Sequence, residues 1–279
     1  MILQSYHIPR ICSSSSSITN HACDISVKKG DSFLKFRTSH QQNLRYLKSI
    51  GIIKPETTTH RNPSPETIAH ILSTVDFLKS RGFSEPDFPR LAFLCPMLFS
   101  SNFHPTQIQP VFDFLYSDLR ASVQESCFLI LRCPAILESN VEFCLQPTLV
   151  YLTTLGLDKL NSPTTLNAHL LNTRVDKLED KVTFLQSVGF SHKESARVCA
   201  RFPAIFGYSI HNNLRPKFEF LFKEMNRTIQ EVTDFPQYFA FSLSRRIAPR
   251  HYHLKDRNVK LKLNRMLLWS DNRFYTKWK

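Results

Sequence analysis

The stretch FLQSVGFSHKESARVCARFPAIFGYSIHNNLRPKFEFL, residues 184–221, begins and ends on the same two-letter phrase, an aromatic residue followed by leucine. The phrase stands at Phe77-Leu78, Phe114-Leu115, Tyr151-Leu152, Phe184-Leu185 and Phe220-Leu221, and with histidine in the first place at His253-Leu254. The steps between successive leucines are 37, 37, 33, 36 and 33 residues. Periods of this size belong to arrays of supersecondary units that bury their apolar faces only by stacking, so function is expected on the stacked surface.

Two further markers keep step with the leucines. Pro203 lies eighteen residues before Leu221, and the same distance gives Pro134, Asn167 and Pro236 in other units, while Pro96 lies nineteen before Leu115. A second proline follows at Pro147, Pro216 and Pro249, with Pro110 one place later and Lys181 standing in the middle unit. Gly51, Gly82, Gly156 and Gly189 each fall four residues after a phrase leucine or its counterpart Leu47, so four of the six glycines mark one kind of turn.

Each unit reads as a pair of helices. Ile68, Ile71, Leu72, Val75 and Leu78 share one helical face. Ser64-Pro65 supplies an N-cap and a proline at the first helical position, and Gly82 closes the helix. A second helix starts after the glycine, where Ser191 and Glu194 have capping-box spacing; Ser84-Glu85-Pro86 and Ser162-Pro163 are weaker start signals. It must stop near the marker proline, which lacks a donor and clashes with the preceding turn. Ala135-Ile136-Leu137 and Ala204-Ile205-Phe206 then suit a short 3₁₀ turn, followed by a long helix carrying Phe218, Leu221, Phe222 and Met225. No unit contains a convincing alternating strand. The fold class is therefore all-α, a right- or left-handed superhelical solenoid of helix-helix-3₁₀ units.

These residues resemble the mitochondrial transcription termination factor (mTERF) family. Its units run from leucine-glycine-phenylalanine-serine through a cysteine- or phenylalanine-proline pair to a proline-containing aromatic-leucine helix. Here those elements are Val188-Gly189-Phe190-Ser191, Phe202-Pro203 and Pro216 to Leu221, with Cys95-Pro96 and Cys133-Pro134 earlier. The stretch from Phe235-Pro236 through Arg245-Arg246 to Pro249-Arg250 is similar to the late unit of plant members. The resemblance implies an all-helical superhelix that binds nucleic acid through a basic face and serves gene expression in an organelle. Asn167 and Lys181 depart from the pattern, since both prolines are missing from that unit.

Charge is unevenly placed. Residues 1–38 carry five Lys/Arg and two acids, residues 245–279 carry eleven and two, and the stretch between carries twenty and nineteen. The first segment has no acid before Asp24 and a serine run from Ser13 to Ser17, the composition of an organelle transit peptide; its serine content favours the chloroplast over the mitochondrion. No apolar run approaches the roughly 20 residues of a membrane span, so no membrane partner is expected. The expected organisation is a leader over 1–38, a partial first unit and linker over 39–64, a repeat array over 65–254 and a basic C-terminal cap over 255–279.

At the other end Arg245, Arg246, Arg250, Lys255, Arg257, Lys260, Lys262 and Arg265 are opposed only by Asp256. Such a patch neutralises phosphates and releases counterions; the plainer reading is the polar outer face that a terminal repeat needs. Arg132 and Arg201 each lie two residues before a marker proline and would line one groove if that register holds. Trp269 after Met266-Leu267-Leu268 reads as a cover for the last core, while Tyr252, Phe274, Tyr275 and Trp278 are candidates for stacking on bases.

Enzyme signatures are missing. No two glycines are closer than eighteen residues, which excludes a P-loop and a dinucleotide fingerprint. There is no His-Glu-x-x-His and no Cys-x₂-Cys, so neither a metal nor a cofactor is expected. Cys95 and Cys133 stand where other units carry phenylalanine or leucine, and read as core hydrophobes. The expected function is that of a monomeric chloroplast factor, not an enzyme, binding double-stranded DNA to regulate transcription. The alternatives are an organelle RNA-binding factor for splicing or ribosomal RNA maturation, and a solenoid that binds other proteins of organelle gene expression.

Overall fold

In every unit the phrase leucine belongs to the buried core: Leu78, Leu115, Leu152, Leu185 and Leu221 are fully buried, and Leu254 is nearly so. The computed structural model describes residues 39–54 and 63–279; the leader reading of 1–38 and most of the expected linker fall outside them. The described residues form an all-α solenoid of fourteen α-helices with intervening 3₁₀ and π turns. Burying one leucine side chain stabilises by about 1.5–3 kcal/mol, so the repeated leucine is what fixes the period.

The first helix of a unit ends at the predicted glycine. α1 (His40–Ser49), α2 (Pro65–Ser80), α6 (Gln146–Thr154) and α8 (Val175–Ser187) stop just before Gly51, Gly82, Gly156 and Gly189. All four glycines have positive φ, between 74° and 110°. At Gly82 an added Cβ would also lie 2.7 Å from Val123 Cγ1, so the left-handed turn and the close approach of Val123 from the next unit both demand glycine. In the last unit Asn258, at φ 52°, holds the glycine position, asparagine being the residue that tolerates this region best.

The second helix starts on a capping box at Ser191–Glu194, as predicted, and on another at Ser122–Glu125. Its members α3 (Phe88–Leu94), α5 (Val123–Arg132), α9 (His192–Arg201) and α11 (Ile229–Asp234) all end one residue short of Pro96, Pro134, Pro203 and Pro236, and a 3₁₀ turn follows each proline. Ser162-Pro163 is not a helix start: Thr164 is the cap of α7 (Thr165–Leu171), and Asn167 turns its amide back onto the carbonyls of Lys159 and Ser162.

Two features differ from expectation. The long helices over 141–154, 210–224 and 243–255 each open with a π turn, at Val141–Leu145, Ile210–Leu214 and Leu243–Ile247. Each π turn runs up to α6, α10 (Arg215–Glu219) or α12 (Ala248–Lys255), whose second residue is Pro147, Pro216 or Pro249. Proline offers no N–H to the turn behind it, so the carbonyls there pair one residue out of step. The unit lacking prolines has neither a π turn nor a 3₁₀ turn, and α7 passes to α8 through residues 172–174 alone. Asn167 therefore lies in the first turn of α7 and is not the counterpart of the marker prolines. Counting back from Leu185 places Asp180, not Lys181, in the second-proline position.

Units are tied by side chains reaching forward. Four residues before the phrase leucine, Thr148 Oγ1 donates to the carbonyl of Thr173 (2.7 Å), Lys217 Nζ to Phe239 (2.7 Å), and Arg250 Nη1 to Met266 (2.6 Å). Carbonyls stranded where helices stop are also capped from the unit before: Arg90 Nε reaches Leu131 O at 2.6 Å, and Arg201 reaches Thr233 O at 2.7 Å and Asp234 O at 3.0 Å. Burial holds the Lys217 ammonium down at a pKa of about 8.

Beyond α4 (Gln109–Ser117) and the later helices, the array closes on α12 with two short helices, α13 (Leu263–Leu268) and α14 (Asp271–Lys277). Arg250 is the hub of this closure. Its guanidinium is fully buried, donates to Met266 O, Trp269 O (2.8 Å) and Asp271 Oδ1 (2.5 Å), and lies 4.5 Å from the centre of the Phe274 ring. Among the described residues no helix is long and apolar enough to cross a membrane.

Arg250→Ala takes the side-chain donor from Met266 O, one of two from Trp269 O, and the filling of a fully buried site, and is expected to cost about 3 kcal/mol or more. Exposed Arg245→Ala should stay within about 0.5 kcal/mol; chemical denaturation of both variants measures the contrast. The hydrogen bond from Arg250 holds the Asp271 carboxyl below its usual range. Its stabilisation is thus present above the ordinary carboxylate pKa and lost as pH falls through the lowered one, so Asp271→Asn should flatten acid denaturation at the low end.

Candidate nucleic-acid interface

The ten basic residues singled out from the sequence divide into two groups. Arg245, Lys255, Arg257, Lys260, Lys262 and Arg265 are exposed. Arg245 occupies the first turn of the helix capped by Ser242, and Arg257 bends back to the His253 carbonyl at 3.1 Å. The other four are engaged within the fold. Arg250 is buried, which removes it as a phosphate contact. Arg246 is half-buried, donates to Trp269 O at 3.0 Å and lies 3.7 Å from Asp271. Arg201 caps α11, and Arg132 donates to Thr165 Oγ1 at 3.1 Å. Their equivalent sequence positions reflect a shared tie to the next unit.

The segment joining α12 to α13, residues 256–262, carries three of the six exposed cations, Arg257, Lys260 and Lys262. It turns at Asn258, and Val259 N–H returns to the Leu254 carbonyl at 2.9 Å. Its far side is pinned by Arg227, a residue the sequence reading passed over. The Arg227 side chain is 7 % exposed, pairs with Glu231 and donates to the Leu261 carbonyl at 2.6 Å. Only its spacing of four from Glu231 hinted at a role. Arg273, Lys277 and Lys279 add exposed charge beyond, with Arg273 stacked 4.4 Å from the Trp269 ring centre. Trp269 is half-buried against the last core, as a cover should be.

The aromatic candidates are less available. Phe274 is buried, and Tyr275 and Trp278 pack against the core. His253 joins them, its Nε2 lying 2.5 Å from the Trp278 carbonyl. Tyr252 is exposed, with its hydroxyl 3.4 Å from Glu224. Among the described residues Cys95, Cys127, Cys133 and Cys199 lie in the core and Cys144 is half-buried, and burial pushes the Cys95 and Cys199 thiols up to about 12, far from nucleophilic. No group of three metal-ligating side chains occurs among the described residues.

Comparison with known proteins agrees with the repeat. The sequence model of the mTERF family matches residues 127–275, just over half of the chain. The chain belongs to the mTERF family. It is 37% identical over 98 residues to the Arabidopsis thaliana protein named transcription termination factor MTERF2, chloroplastic, a match covering 35% of this chain and 15% of that protein. It is 25% identical over 211 residues to Arabidopsis MTERF8, which bears the same descriptive name, covering 75% and 41%. A Zea mays MTERF4, also named chloroplastic, is 27% identical over 93 residues, covering 33% and 19%. The chain thus spans less than half the length of these relatives.

Arg227→Met should release residues 256–262 while leaving the array folded. Hydrogen exchange there should rise well above that of α9 and α11, and trypsin should cut first between Lys255 and Lys262; global stability falls by about 1–3 kcal/mol.

Proposed function

We propose that this chain is a chloroplast nucleic-acid-binding factor, engaging double-stranded DNA through the exposed basic surface at the C-terminal end of the array and regulating transcription. The observation that carries the reading is the group of six exposed cations, Arg245, Lys255, Arg257, Lys260, Lys262 and Arg265, opposed in that stretch by Asp256 alone. Lys260, Lys262 and Arg265 serve no tie within the fold, and solubility does not call for so many charges of one sign on one short segment. The names of the relatives, chloroplastic transcription termination factors, and the serine-rich, acid-poor leader support the compartment and the process. Binding rests on phosphate contacts, which give affinity and orientation without reading sequence. RNA offers the same phosphates and is an outcome of the test.

The test is a salt titration of the full chain against matched duplex DNA and single-stranded RNA. Each phosphate contact contributes about 0.9 to the log–log salt slope for duplex and about 0.7 for single strands. A Lys255→Glu, Lys260→Glu, Lys262→Glu variant should lower the slope by about 2 to 3. Arg250 is left intact because its loss would unfold the cap. Preference for RNA would move the role to splicing or maturation. Failure of both ligands to bind at about 100 mM salt would turn the search to protein partners.

A further inference from the structure

Beneath the basic segment lies a cavity of about 270 Å³ between the ends of two neighbouring long helices, and its lining is unusual in two respects. Three cationic side chains, Arg227, Lys255 and Lys260, face it; Arg227 is paired with Glu231, which leaves Lys255 and Lys260 against one carboxylate, Glu224. The imidazole of His251 also lines it, and its Nε2 is shut away from bulk water with no hydrogen-bond partner in the protein. Cations at a helix end complement the helix dipole, which accounts for Lys255. It does not account for Lys260, which lies beyond any helix, nor for an unpartnered ring nitrogen.

We propose that this cavity seats a phosphate group of the bound nucleic acid, and that His251 takes up a proton as the phosphate enters, its Nε2–H then donating to a phosphate oxygen. The inference rests on the nucleic-acid reading above and adds the place of one contact and its dependence on pH. Lys255 and Lys260 line the cavity and also belong to the exposed basic surface, so a strand crossing that surface passes the mouth. A phosphate carries the charge that Lys255 and Lys260 against Glu224 leave unmatched, and has enough oxygens to accept from the Asn258 amide as well.

The groups facing the imidazole make it responsive. The Phe220 ring packs edge-on at 5.6 Å and Tyr252 lies beside it at 5.3 Å. Burial weighs most against a charged ring, Lys255 on its own helix and Arg227 from the preceding unit add to it, and Glu224 opposes them through its backbone carbonyl and its carboxylate. Together these hold the free imidazole below its ordinary proton affinity. An entering phosphate reverses the balance, and linkage then requires that acid tighten binding.

The experiment is isothermal titration calorimetry of the full chain in two buffers of unlike ionisation enthalpy between pH 6 and 8, with duplex DNA, single-stranded RNA and inorganic phosphate as ligands. The His251→Gln variant runs alongside, its fold checked by thermal denaturation, and differences between the two proteins cancel the titration of free phosphate. We expect proton uptake with the natural chain, absent from His251→Gln, and nucleic-acid affinity weakening about three- to tenfold from pH 6 to 8 only when His251 is present, the range a pKa change of up to one unit gives. Lys260→Ala, which leaves the imidazole in place, should weaken binding yet keep the uptake. If His251→Gln does not fold, the titration of His251 followed by NMR in the natural chain, free and with each ligand, decides the same point. Nucleic-acid binding with no His251-dependent uptake overturns this inference and leaves the proposed function standing. His251-dependent uptake with inorganic phosphate alone, and no nucleic-acid binding, keeps the anion seat but overturns its assignment to nucleic acid. No binding by any ligand overturns both.

Discussion

A helix stopped by proline leaves carbonyl oxygens with no N–H to receive, and in a stacked array those oxygens lie against the neighbouring unit, away from water. This is the constraint on which the rest of the structure depends. The apolar core sets how units stack, but a buried carbonyl without a donor is costly. Arg90, Arg201, Thr148, Lys217 and Arg250 each bring a donor to a carbonyl of the following unit. At Arg90 and Arg201 the prolines that define the repeat and the polar side chains that join it answer one another.

The same constraint sorts the basic residues. A cation whose nitrogens are filled by carbonyls has little left to offer a phosphate, and Arg250 and Arg201 belong to that class however suggestive their place in a charged run. Free cations remain where the backbone has no open carbonyl to fill, on the segment after Asn258 and at the first turn of the last long helix. The net charge of the C-terminal end overstates its capacity for phosphate, since part of it is structural.

Most of the architecture was legible in the sequence because its devices are local. Glycine four residues beyond a buried leucine, serine three before glutamate and proline after cysteine or phenylalanine each act within one turn of helix, and the structure places all three as read. The π turns that open three long helices were not read, because the proline that follows each has a counterpart in Pro110, where no π turn forms. The shortened third unit was misaligned: counting from Leu185 finds Asn167, but the missing turns shift every slot before α8. Of the candidate interface, charge was legible and burial was not. Arg245 and Arg250 look alike in the chain, and only the packing of α13 and α14 over α12 distinguishes them. Arg227 was overlooked because its acceptor, the Leu261 carbonyl, lies 34 residues away.

The ties made by charged side chains to the backbone of a neighbouring unit run in one direction, the donor earlier in the chain and the accepting carbonyl later: Arg90 to Leu131, Arg201 to Thr233, Lys217 to Phe239, Arg227 to Leu261, Arg250 to Met266. The array thus has a polarity, like a growing polymer with one reactive end. A chain emerging from the ribosome presents at its newest unit a set of cations still waiting for acceptors, and each unit that follows consumes them. Growth by further units would continue the pattern without limit, and it is the turn back of Met266, Trp269 and Asp271 onto Arg250 that terminates it.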